Sequence, residues 1–299
     1  MTRYVYLFIA LCLLLGCSKT PTSNSSSRKT VVRSPNILEN PQVKQELKAE
    51  NLGWYSDSTR RCSFDVAEEV ETGHFLLKTN VKAEYVQRYS RMLEAMNVGF
   101  ETVFGKTQLK APIEVWIYAS RSGFRKAAAV PNAGAFFSPK NNRVTCFHGL
   151  YENGGFTRRG LGSQICNAMV HGRWPEAFNK LPAWLFHGLG SLLSNANYDG
   201  QKLVFTPLSK KLLSRFRDAR KKQSFTLKEL MSKPRDGFHG PVITQAEAAL
   251  WVLSFQIRDG RDILMKLLDS NGSIDPGKTN LGGSESFAEW DKQFEALLQ

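Results

Sequence analysis

The chain has few cysteines and histidines, five of each in 299 residues. It contains no CxxC pair and no Cys–His spacing of the kind that closes a zinc site. GxGxxG, GxSxG and GxxxxGK[ST] are all missing, so no glycine-rich phosphate cradle or nucleophile elbow is present. Asp199-Gly200 and Asn271-Gly272 are turns. No internal repeat is visible, and no stretch beyond the first twenty residues is apolar enough to span a membrane, which takes about twenty residues. Acidic residues are also in short supply, with 27 Asp and Glu against 40 Lys and Arg and a formal charge of +13.

What is present begins at the amino terminus. Arg3 precedes an uncharged apolar run from Tyr4 to Leu15, too short for a spanning helix and suited to a secretion signal. The run ends in Leu14-Leu15-Gly16-Cys17, which resembles the lipobox of bacterial lipoproteins. The resemblance implies cleavage after residue 16 and acylation of Cys17, whose acyl chains would each contribute about 0.8 kcal/mol per buried methylene. An ordinary cleaved signal or an uncleaved anchor accounts less well for the cysteine. It further implies a lipid-anchored protein of the bacterial cell envelope. Ser18, where Asp would signal retention in an inner membrane, points to the outer membrane if the cell has one. Residues 17–53, rich in Ser, Thr and Pro, read as a tether with too little apolar surface to offset its own ordering entropy. Residues 54–299 then form the folded domain.

Basic excess often signals nucleic acid, but an envelope protein meets anionic lipid and wall polymers first. Lys210, Lys211, Arg215, Arg217, Arg220, Lys221 and Lys222 crowd one segment. Leu208, Leu212, Leu213, Phe216 and Ala219 give it an apolar stripe at helical spacing. A surface helix with a solvated basic face is the expectation, with a membrane-surface helix as its alternative. Cys12 leaves with the signal, so Cys62, Cys146 and Cys166 remain. One pair could bridge in an oxidising envelope, and their odd number leaves at least one unbridged.

Periodicity predicts a strand at 74–78, a helix from Ala83 to Phe104 ended by Gly105, and an alternating strand from Ile113 to Tyr118. Ala135–Phe137 and Arg143–Phe147 flank Pro139-Lys140-Asn141-Asn142 and read as a hairpin. Helices are expected at 161–173, 182–194, 208–222, 227–232, 244–258, 261–270 and 284–298. Strands first and helices after argue an α+β fold: a mixed sheet with a long helix, then paired helices and a helical carboxy-terminal part.

From about residue 73 onward the chain resembles the peptidase-MA-like gluzincins. The resemblance rests on the Gly134-Ala135-Phe136-Phe137 hairpin, the helix after it, and Pro182-x-Trp184-Leu185-x-x-Gly188-Leu189. That family implies a helix bearing His-Glu-x-x-His and a second bearing Trp-Leu-x-Glu-Gly. Two histidines four apart and the second-helix glutamate hold zinc, and the first-helix glutamate takes a proton from zinc-bound water. Here the first helix reads Asn167-Ala168-Met169-Val170-His171, and the second Trp184-Leu185-Phe186-His187-Gly188. Asn167 stands at the first ligand position, Ala168 at the base, and His187 at the third ligand. Only His171 matches, and Gln164–Met169 contains no acidic residue.

A methyl group accepts no proton, so the family's water activation cannot run at Ala168. His171 and His187 are the remaining candidates for a vestigial metal site, with His148 or Cys166 as conceivable third ligands, but two imidazoles and an amide hold zinc poorly. His74 and His239 read as ordinary. The expectation is a lipid-anchored, catalytically degenerate metallopeptidase-like protein, with no resident cofactor, that binds a peptide, a wall fragment or a protein partner. Two alternatives stay open. One is an active zinc hydrolase with a rearranged site at His171 and His187. The other is a structural lipoprotein docking on anionic surfaces through its basic helix.

Overall fold

The computed structural model describes residues 68–106, 109–128, 134–148, 158–199, 201–205, 208–270 and 284–299. The expected signal (1–16), Cys17, the expected tether (17–53) and Cys62 lie outside the described residues.

The fold is α+β. A five-stranded sheet runs in the order β1 (Glu68–Glu71), β2 (Phe75–Thr79), β3 (Ile113–Tyr118), β5 (Arg143–Phe147), β4 (Ala135–Ser138). The central strands β2, β3 and β5 pair parallel, while β1 and β4 pair antiparallel at the two edges. Alternation sets the faces: Phe75, Leu77, Ile113, Val115, Ile117 and Val144 are fully buried on one side. Thr79 also turns inward, and its hydroxyl donates to the Ile117 carbonyl at 2.7 Å. At the end of the β4–β5 turn Asn142 adopts φ 49°, a left-handed conformation that Asn tolerates better than most residues.

Helix α1 (Ala83–Phe104) lays Tyr89, Met92, Leu93, Met96, Phe100 and Val103 into the core, at the spacing of one helical face. Gly105 stops it at φ 76°, its amide returning to the Glu101 carbonyl at 2.9 Å. Both boundaries fall where the periodicity placed them. Short elements without a readable period were not anticipated: β1, α2 (Arg121–Ala128), α4 (Pro175–Lys180) and the ribbon β6 (Asn197–Tyr198) with β7 (Leu203–Val204).

The second half is helical: α3 (Arg158–Arg173), α5 (Ala183–Asn195), α6 (Lys210–Lys222), α7 (Leu227–Ser232), α8 (Pro241–Phe255), α9 (Gly260–Asp269) and α10 (Ser284–Leu298). Helix α8 begins three residues earlier than its apolar pattern suggests, because Pro241 costs nothing in a first turn whose amide lacks a helical partner. Helices α3 and α5 touch backbone to backbone: a Cβ on Gly162 would stand 3.0 Å from the Ser194 Cα. Helix α8 closes on α5 at Gly188, where a Cβ would lie 2.1 Å from Leu250 Cδ2. Trp184 is buried against Trp290 of α10, their ring centroids 5.7 Å apart, and the Trp290 indole donates to the Ala249 carbonyl at 3.1 Å. The Pro-x-Trp-Leu segment thus anchors α5 in the core. No helix among the described residues is long and apolar enough to cross a membrane.

Candidate functional site

A cleft of about 290 Å³ opens where α3 and α5 pass beneath the Gly134–Ala135 end of β4, with α6 and α8 forming the far wall. From α3 it receives Gly160, Ser163, Gln164 and Asn167, which recur at helical spacing and form one face. From α5 come Phe186 and His187, and from α6 and α8 come Arg215 and Glu247.

Asn167 is only 3 % exposed, and its carboxamide lies against Gly190. A Cβ on Gly190 would come within 3.4 Å of Asn167 Oδ1 and 2.6 Å of Ser163 Oγ, so a bare glycine makes room for both side chains. Arg215 and Glu247 form an ion pair across the α6–α8 wall, each largely shielded from solvent. The His187 ring stacks on Phe238 with centroids 5.5 Å apart and planes 9° from parallel. Burial, with the Arg235 guanidinium as a second cause, pushes its pKa down to about 4. His187 is therefore neutral at pH 7.

His171 has different surroundings. Its ring meets Phe137 at 5.4 Å and Phe178 at 5.3 Å, both edge-on, and burial again lowers its pKa. Phe178 in turn contacts Phe186 at 5.7 Å, and Phe186 contacts His187 at 5.4 Å. The contact path from one candidate ligand to the other thus runs through two phenylalanine rings. Ala168 lies in the packed core at 0 % exposure and does not line the cleft.

The conceivable third ligands sit elsewhere. Cys166 is fully buried, and burial raises its pKa. His148 accepts or donates a 2.8 Å hydrogen bond with the Tyr89 hydroxyl and packs 4.4 Å from the Tyr85 ring. Cys146 is buried, and its thiol is pushed up to about 12. Cys146 and Cys166 both carry free thiols, so the anticipated bridge does not form between them. Among the described residues no three His, Cys, Asp or Glu side chains gather as a metal site.

His74 belongs to a separate cluster, its Nδ1 2.7 Å from the Glu94 carboxylate, which also accepts from the His74 amide at 3.0 Å. His239 is exposed. Of the seven cations counted on the basic helix, Arg215 and Arg220 turn inward to Glu247 and Glu295. Leu212, Phe216 and Ala219 are buried in the domain, so the apolar stripe already has its cover. Lys210, Lys211, Arg217, Lys221 and Lys222 remain exposed.

Sequence reading did not find Ser163, Gln164, Arg215 or Glu247. Ser163 and Gln164 carried a signal, since they lie four and three residues before Asn167 on the same helical face. Glu247 carried none, because only tertiary packing brings it near α3. No protein-family model and no curated protein matches this chain.

Proposed function

We propose that the chain is a bacterial envelope lipoprotein, held at the membrane through acylated Cys17, whose peptidase-MA-like domain binds a ligand and does not hydrolyse it. The ligand class is a peptide, a wall fragment or a segment of a partner protein. The observation that carries this reading is Ala168. The residue at the general-base position is a methyl group sealed in the core, and no acidic side chain of α3 reaches the cleft. Proton abstraction from a water needs a base within hydrogen-bond reach, about 3 Å. Glu247, the carboxylate that does line the cleft, is held by Arg215.

The donor set also fits zinc poorly. Structural and catalytic sites bring three or four donors to about 2.0–2.3 Å from one ion. His171 packs edge-on against Phe137 and Phe178, His187 stacks on Phe238, and Asn167 offers an uncharged amide. What persists is the cleft itself, built from the paired helices and the sheet edge. The resemblance of the Pro182–Leu189 frame supports a peptidase-like domain, and the cleft supports binding.

The test is elemental analysis of the full chain purified without chelator. The expected result is substoichiometric zinc that does not change on His171→Ala. One zinc per chain, lost in His171→Ala, would overturn the reading in favour of a rearranged hydrolase.

A further inference from the structure

We infer that the cleft takes an uncharged sugar ring bearing an acetamido group, with Asn167 as its anchoring residue. This rests on the binding reading above and names the ligand class for the same site.

The first observation is the state of Asn167. Asn167 is 3 % exposed as a residue, its side chain lines the cleft, and no hydrogen bond joins it to a described residue. Its carboxamide stays open to the cleft, so a ligand amide can take the place of the water that otherwise pairs it. A carboxamide offers one donor and one acceptor edge side by side, and its best complement is another amide. The hydroxyl of Ser163, one helical turn before it, also has no partner among the described residues.

The second observation is charge. The two ions of the cleft, Arg215 and Glu247, neutralise each other. A carboxylate, phosphate or ammonium group would therefore give up its hydration and meet no unsatisfied counter-charge.

The third is shape and chemistry together. At about 290 Å³ the cleft lies at the small end for ligand pockets, which run from roughly 300 to 1,000 Å³. That is room for a single ring. Uncharged hydrogen-bonding side chains, Ser163, Gln164 and Asn167, line one wall, and the Phe186 ring lies on another. Hydroxyls at several positions around a ring with an apolar face match that arrangement. An extended peptide would need its partners in a row along the backbone, and the polar groups here converge on one compartment.

The experiment is calorimetric titration of the full chain with a β-1,4-linked N-acetylglucosamine trimer, beside a glucose trimer of the same linkage and an alanine tetrapeptide. Saturable binding of the acetylated trimer is expected, with the glucose trimer weaker by about tenfold or more, since a site built to pair an amide rejects the analogue that lacks it. Asn167→Ala should weaken the acetylated trimer by about tenfold, and Ser163→Ala by about threefold. The serine variant keeps the test alive if loss of Asn167 prevents folding. Equal binding of both sugars, no saturable binding, or preference for the tetrapeptide would each overturn the inference. None of these touches the zinc content, so failure here is distinct from failure of the non-hydrolytic reading.

Discussion

Restoring a glutamate at position 168 tests where that position points. The Ala168 methyl is fully enclosed among core side chains of α3 and its neighbours. A glutamate there adds volume to a filled site, which costs roughly 1–3 kcal/mol. It must also fold in its protonated form, because an isolated carboxylate in the interior is prohibitive. Holding a carboxyl neutral at pH 7 against an ordinary value near 4.3 costs about 1.36 kcal/mol per pH unit, or roughly 3–4 kcal/mol. The change in helix propensity is a few tenths of a kcal/mol and decides nothing. Ala168→Glu is therefore expected to lose about 4–7 kcal/mol, a large part of the roughly 5–15 kcal/mol that holds a typical domain folded. Ala168→Leu separates the two causes, since it carries only the volume cost. The carboxyl contribution has a definite sign with pH. Its folded-state pKa lies above the unfolded value, so destabilisation is small below pH 4 and grows as the pH rises. Urea unfolding followed by tryptophan fluorescence at pH 7 and pH 5 measures both. A glutamate variant within about 1 kcal/mol of the parent at pH 7, with no pH dependence of the difference, would refute the reasoning and place position 168 on the cleft.

Other outcomes follow from the same geometry. Gly188→Ala should gain about 1 kcal/mol in helix propensity and lose more to overlap with Leu250. The new methyl would stand 2.9 Å from Leu250 Cβ, which no rotamer can move, so scanning calorimetry should show a lower Tm. A Tm at or above the parent's would show that α5 and α8 can part freely. The depressed pKa of His187 makes its folded form resist protonation while the unfolded form accepts it. Its contribution is intact above pH 6.5 and is lost as the pH falls toward 4, about 3 kcal/mol in all. His187→Gln should flatten that part of the stability–pH curve, and an unchanged curve would count against the buried neutral histidine. If the basic helix meets anionic surfaces, it does so by charge alone, because its apolar stripe is buried. Vesicle co-sedimentation of the full chain should then lose its salt-sensitive component when Lys210, Lys211, Lys221 and Lys222 are neutralised.

The long elements of this protein were written in local pattern. Helix α1 could be bounded to the residue because an apolar face recurs over six turns and a glycine ends it. The β4–β5 hairpin was marked by its Pro-Lys-Asn-Asn turn, and the α+β class followed from the order of periods. The identity of Asn167, Ala168 and His187 at a helix pair with a Pro-x-Trp-Leu frame was equally a matter of sequence. Elements as short as β1, α4 and the β6–β7 ribbon span too few residues for any period to show. Tertiary structure alone decided what surrounds each of these residues. It packed His171 against Phe178 and His187 against Phe238, drew Arg215 out of an apparently solvated basic face to meet Glu247, and enclosed Cys166 and Ala168 in core. These relations join residues on separate helices, and a helix's own periodicity shows which face is apolar without showing what will stand opposite it.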